Sequence, residues 1–193
     1  MVDARRIRLS VALLGAEYVA LLGFEGGGID VRFVETTDRE ATAKAVAGGD
    51  TRVLLAETLS NPLLRFTDPA DLAPRAREAG AALVVDATFT PPSNLRTLSR
   101  GADLVVHSAT KYYGGHSDLT AGVVCGRTDL LEEVRNRARV FGFAPDPHST
   151  WLLERGVKTL ALRMERHNRN GLEVARWASG RPGIARVHYP GLE

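Results

Sequence analysis

Ala82-Leu83-Val84-Val85-Asp86 and Leu104-Val105-Val106-His107-Ser108 are two short apolar runs, each giving way to a polar residue. The first is entirely apolar up to Asp86 and reads as a strand covered on both faces, as in a parallel sheet. Asp86 and Ser108 then fall just past two strand ends on one edge of the sheet. That is the edge where open α/β sheets bind ligands.

Working outward, the same rhythm recurs. Strands are expected at Ile7 to Leu13, Asp30 to Val34, Val53 to Glu57 and Gly122 to Cys125. Segments with helical spacing alternate with them: Ala16 to Phe24, Asp38 to Ala47 with Asp38 as N-cap, and Asp68-Pro69 as cap and first position of a helix through Glu78. Gly26 to Gly28 precedes a strand instead of joining a strand to a helix, so it reads as a turn and not as a dinucleotide fingerprint. From Thr128 onward the chain is mainly helical, at Asp129 to Val140, Ser149 to Arg155 and Lys158 to Ala178. Ile184 to Tyr189 could begin a strand. The alternation predicts an α/β layer structure around a largely parallel sheet.

Composition excludes several classes. Of the 193 residues, 44% are hydrophobic and 25% charged, the balance of an ordinary globular protein. A net charge of +2 is too small an excess to argue for nucleic acid or an anionic membrane. Cys125 is the single cysteine, so an internal disulfide and a multi-cysteine metal site are ruled out, and no metal is expected. In its apolar run it reads as a small core residue. Neither a secretory signal nor a run of about 20 apolar residues is present, which places the chain in the cytoplasm as an expectation.

The chemistry concentrates in Val106-His107-Ser108-Ala109-Thr110-Lys111-Tyr112-Tyr113-Gly114-Gly115-His116-Ser117-Asp118. A strand delivers two hydroxyls and a lysine into a glycine-softened turn. Such hydroxyls can donate to phosphate oxygens while the amine attacks a carbonyl. Read without chemistry, the stretch is a polar loop with a surface lysine. Asp86 shifts the balance, because a carboxylate at a buried strand end is costly unless it has a partner. A pyridinium nitrogen would serve, and so would a helix cap or a structural ion pair. His107 reads as structural, and His116 stays open between a structural and a catalytic reading. Arg135, Arg137 and Arg139 alternate along a helix without forming a stripe.

Four ordered stretches carry a family resemblance: Glu57-Thr58-Leu59-Ser60-Asn61-Pro62-Leu63-Leu64-Arg65; Val85-Asp86-Ala87-Thr88-Phe89-Thr90-Pro91-Pro92; Gly101 to Val106 with the Ser108 to Asp118 turn; and Arg155-Gly156-Val157-Lys158-Thr159-Leu160 with Arg163-Met164-Glu165-Arg166-His167. Together they resemble the Cys/Met-metabolism (transsulfuration) family of pyridoxal-phosphate enzymes, which includes cystathionine γ-synthases, cystathionine γ-lyases and methionine γ-lyases. The resemblance implies a three-layer α/β fold with a mostly parallel sheet, of the type I aminotransferase-like pyridoxal-phosphate-binding large domain. That domain would occupy residues 1–180, with 181–193 beginning a C-terminal domain, incomplete at both ends.

The resemblance also implies roles. Lys111 corresponds to the imine-forming lysine, which later moves protons between substrate carbons. Asp86 corresponds to the partner of the ring nitrogen, Thr88 to a contact on the ring face, Ser108 and Thr110 to phosphate-binding hydroxyls, and Asn61 to the partner of the ring's phenolic oxygen. The implied activity is γ-elimination or γ-replacement on cystathionine, methionine, homocysteine or a homoserine ester, in a homo-oligomer such as a tetramer. Leu14 stands where the family has a ring-stacking Tyr, Leu59 where it has Pro, and Ala87 where it has Asn. These departures and the implied missing ends keep open an inactive remnant or one piece of a split enzyme.

Overall fold

The computed structural model describes residues 7–12, 29–35 and 38–192. Among the described residues, six strands form one sheet: β1 (Ile7–Ala12), β2 (Ile29–Phe33), β3 (Thr51–Glu57), β4 (Ala82–Asp86), β5 (Leu104–Ser108) and β6 (Gly122–Gly126), in the order β2-β1-β3-β4-β5-β6. All neighbours run parallel except β5 and β6, which are antiparallel. Helices α1 (Arg39–Val46) and α2 (Pro69–Glu78) are the crossovers that precede β3 and β4. Helices α3 (Thr128–Phe141), α4 (Pro147–Val157) and α5 (Leu160–Ser179) follow the sheet. The α/β architecture is the one expected.

Local chemistry explains where helices begin. Asp38 accepts from the Ala41 amide at 2.8 Å and Asp68 from the Ala70 amide at 2.9 Å. Each cap supplies an acceptor to a helix-end amide that has no partner within the helix, on the order of 1 kcal/mol in value. Pro69 at the first position of α2 fixes φ and has no N–H to leave unpaired.

The core lies on one face of the sheet. Leu54 and Ala56 of β3, Leu83 and Val85 of β4, and Val105 of β5 pack with Leu72, Ala73 and Ala76 of α2. Alternation along the strands then sends Asp86, Val106 and Ser108 to the other face. The register agrees, since Asp86 pairs with Val106, two residues before Ser108.

Three expectations need correction. β4 alternates half-buried and buried residues, so the two faces are not equally covered in spite of its apolar sequence. Cys125 is exposed and not in the core, because β6 is the edge strand of the sheet. Residues 184–188 form no strand. Instead, the Tyr189 hydroxyl donates to the Asn168 carbonyl of α5 at 3.1 Å, folding this segment back on the helix. The helix expected at Ala16 to Phe24, the Gly26 to Gly28 turn and Leu14 lie outside the described residues.

Candidate active site

The site grows from the ends of β4 and β5. Asp86 Oδ1 accepts from the Thr88 amide at 2.8 Å, an Asx turn that ends the strand. Thr88 Oγ1 then accepts from the Ser108 amide at 2.8 Å, and the Ala87 amide donates to the Val106 carbonyl at 3.0 Å. Asp86, Thr88 and Ser108 are therefore one hydrogen-bonded unit spanning two strand ends, and all three are half-buried. Among the described residues, no lysine or arginine forms an ion pair with Asp86, and the Ser108 hydroxyl makes no hydrogen bond.

Beneath this unit the hydroxyls of Thr58 and Thr90 meet at 2.6 Å, and the Thr58 amide donates to the Asp86 carbonyl at 3.0 Å. Both threonines are buried. Paired hydroxyls satisfy each other where water is excluded, so the β3 and β4 ends are tied at a fixed spacing.

Three residues past Ser108, the Lys111 amide donates back to the Ser108 carbonyl at 3.0 Å and starts a tight turn. The Lys111 side chain is exposed and lines an open cavity of about 960 Å³, together with Phe89, Thr110, Tyr112, Asp146, Ser149 and His167. Thr110 Oγ1 accepts from the Ala121 amide at 3.1 Å and donates to the Ala121 carbonyl at a long 3.5 Å. A charged phosphate oxygen is a stronger acceptor than that distant carbonyl.

The structure thus gathers the expected residues in two linked groups. Asp86, Thr88 and Ser108 form the strand-end unit, and Thr110 and Lys111 form the cavity wall directly after it. Asn61 stands apart, exposed at the tip of a loop closed by the Arg65 amide on Ser60 Oγ at 3.0 Å and by the Leu59 to Phe66 bridge. Of the expected residues only Thr110 and Lys111 line the cavity; Asn61, Asp86, Thr88 and Ser108 do not.

The two histidines separate. His107 is buried, its ring 4.8 Å from that of Tyr113, and burial holds its pKa below the ordinary 6.5 against the opposing pull of the Asp86 carboxylate. His116 is exposed, with Nδ1 2.8 Å from the Gly114 carbonyl oxygen.

Sequence reasoning missed what holds the lysine turn from outside. The Arg163 guanidinium of α5 reaches the carbonyls of Tyr112 and Tyr113, 51 and 50 residues earlier. Gly156 of α4 backs onto the same turn. Both residues stand in the quoted stretches, but no spacing rule links an arginine to carbonyls so far away in the chain.

Comparison with known proteins identifies the family and the fold. A family model described as "Cys/Met metabolism PLP-dependent enzyme" matches residues 16–193. A probable cystathionine gamma-synthase of Herpetosiphon aurantiacus is 41% identical over 166 residues, covering 86% of this chain and 52% of that protein. Cystathionine gamma-lyase of Bacillus subtilis (strain 168) is 42% identical over 165 residues, covering 85% and 43%. The crystal structure of cystathionine gamma synthase from Xanthomonas oryzae pv. oryzae in complex with cystathionine superposes with a TM-score of 0.91 at 34% identity, over 97% of this chain and 49% of that one. The chain spans about half the length of the curated relatives it matches.

Proposed function

The chain belongs to the Cys/Met metabolism PLP-dependent enzyme family, and from that premise we propose that it binds pyridoxal 5'-phosphate at Lys111 and serves a transsulfuration-type reaction. The reaction class is γ-elimination or γ-replacement on cystathionine, methionine, homocysteine or a homoserine ester. One observation carries the reading: Asp86, Thr88 and Ser108 form a single bonded unit that leads into the Lys111 turn on the ligand-binding edge of the sheet.

The residues fit the group. Pyridoxal 5'-phosphate supplies, when bound, an aldehyde and an electron-accepting ring. Lys111 Nζ is the attachment point for the aldehyde carbon. As a free amine, Lys111 would act as a base that moves protons at substrate carbons. Asp86, half-buried and with no cation paired to it among the described residues, would be the anionic partner that favours a protonated ring nitrogen. Thr88, whose hydroxyl oxygen accepts from the Ser108 amide, would lie against a face of the ring. Ser108 and Thr110 offer hydroxyls to the phosphate, and Asn61 is assigned to the phenolic oxygen.

Assembly and location follow from the same reading. Val140, Phe141, Phe143, Leu162 and Trp177 are exposed large apolar side chains on or beside α3 and α5, which supports burial against further copies in a homo-oligomer, dimer or tetramer. No helix of the described residues is long and apolar enough to cross a membrane, in keeping with a cytoplasmic enzyme. Residues 1–180 are assigned to the cofactor-binding large domain and 181–193 to the start of a following one.

The test is the visible absorbance of the purified protein with pyridoxal 5'-phosphate. Lys111→Ala should abolish the band and lower turnover on the order of 10³-fold or more, the scale on which loss of a covalent catalytic group acts. A band that survives the substitution places the attachment elsewhere.

A further inference from the structure

We propose that Arg163 is a positioning residue that fixes where the Lys111 side chain leaves its turn. This rests on the reading that Lys111 carries the cofactor. From within, the turn is closed by three bonds: the Lys111 amide to the Ser108 carbonyl at 3.0 Å, the Gly114 amide to the Ala109 carbonyl at 2.8 Å, and the Gly115 amide to the Lys111 carbonyl at 2.8 Å. These leave the carbonyls of Tyr112 and Tyr113, the two residues after the lysine, for an outside donor.

Arg163 is that donor. Its Nη1 donates to the Tyr112 carbonyl at 2.6 Å, and its Nη2 to the carbonyls of Gly156 at 2.7 Å and Tyr113 at 3.3 Å. Nε donates to Thr159 Oγ1 at 3.1 Å, which in turn donates to the Gly156 carbonyl at 3.3 Å. One planar fork therefore staples the corner between α4 and α5 to the lysine turn. A lysine concentrates its donors on one atom and cannot reach four separated acceptors.

Two glycines make room for this contact. Gly115 has φ +80°, and a Cβ there would overlap the Arg163 guanidinium. A Cβ on Gly156 would lie 2.5 Å from the Gly114 carbonyl oxygen. One helical turn beyond Arg163, the His167 ring meets the Tyr112 ring edge-on at 5.7 Å, so the same face of α5 holds both the main chain and the side chain of the residue following Lys111. All four acceptors are neutral oxygens. The guanidinium is thus used here for geometry rather than for an ion pair.

Ser108 is set by the strand ends and Thr110 by Ala121, independently of Arg163. Loss of Arg163 should therefore slow attachment at Lys111 while leaving phosphate and ring binding little changed. In the full chain, Arg163→Gln and Arg163→Lys are mixed with pyridoxal 5'-phosphate, and the rate of band growth is followed. Borohydride reduction and peptide mapping then locate the label. Pyridoxine 5'-phosphate, which lacks the aldehyde, reads affinity without attachment.

The expected result is attachment slowed about tenfold or more in both variants, as misplacement of a reacting group produces, with pyridoxine 5'-phosphate binding nearly unchanged. Attachment at the wild-type rate overturns the proposal, as does a parallel loss of attachment and binding. Should Arg163→Gln fail to fold, Thr159→Val, which removes the acceptor of Nε together with the hydroxyl's own bond to the Gly156 carbonyl, decides: an intermediate slowing is expected, and the wild-type rate refutes it. No label at Lys111 in the wild type sinks the cofactor reading instead.

Discussion

Asp86 and Asp103 sit at opposite ends of neighbouring strands, and their surroundings differ in a way that separates structure from chemistry. Asp103, just before β5, is fully engaged: Oδ2 accepts from the Leu83 amide at 2.9 Å and Oδ1 pairs with Arg127 at 3.1 Å. Asp86, at the far end of β4, accepts only the Thr88 amide, and no cation among the described residues pairs with it. The first carboxylate completes the protein's own bonding. The second is left with charge to offer a ligand, at the sheet edge where α/β folds bind one.

Substitution should expose that difference. Asp86→Ala should weaken pyridoxal 5'-phosphate binding by about 2 kcal/mol or more, roughly thirtyfold, the cost of removing one partner of a desolvated charge pair. Asp103→Ala should leave that affinity unchanged in a direct titration. Equal losses of affinity in the two variants would erase the distinction.

Stability should rank them the other way. Asp103→Ala strands the Leu83 amide without its side-chain acceptor and should cost about 1–3 kcal/mol in denaturant unfolding. Asp86→Ala should cost less, because the Thr88 amide it strands is only half-buried. A larger stability loss at Asp86 would mark it as structural.

A smaller effect tests the neighbourhood of Asp86 by pH. Burial holds the His107 pKa below 6.5, so folding stability from its neutral form is fully present above 6.5. It is lost as pH falls from there towards the lowered value, since the unfolded chain takes up the proton first. Melting temperatures across this range should fall less steeply for His107→Gln than for the wild type. Superimposable profiles would show that His107 does not titrate with folding.

The smallest effect belongs to Asp68, whose pKa is lowered chiefly by its hydrogen bond to Arg100. Its contribution is present above the ordinary 3.8 and lost as pH falls through the lowered value. Asp68→Asn should flatten acid unfolding in that window, and an unchanged acid limb would count against the pairing.

Much of this site was legible in the chain because β4 and β5 are apolar runs that stop at polar residues, and because Asp68-Pro69 combines a cap with the one position where proline suits a helix. The edge shared by Asp86 and Ser108 followed from parallel pairing alone. Strand order did not: nothing in Gly122 to Cys125 marks an antiparallel edge strand, so Cys125 read as core and is exposed. The segment 184–188 has strand-like residues but is held by Tyr189 on α5 instead. Arg163 was invisible for a related reason, since its acceptors are main-chain carbonyls half a hundred residues away, and main-chain atoms leave no trace in residue identity.

The most direct test of the central claim is a crystal structure of the protein grown with pyridoxal 5'-phosphate. Density should run continuously from Lys111 Nζ to the cofactor, with the ring nitrogen at about 2.7–2.9 Å from an Asp86 carboxylate oxygen, the distance of a charge-assisted bond. A cofactor joined to another lysine, or a ring nitrogen turned away from Asp86, would contradict it.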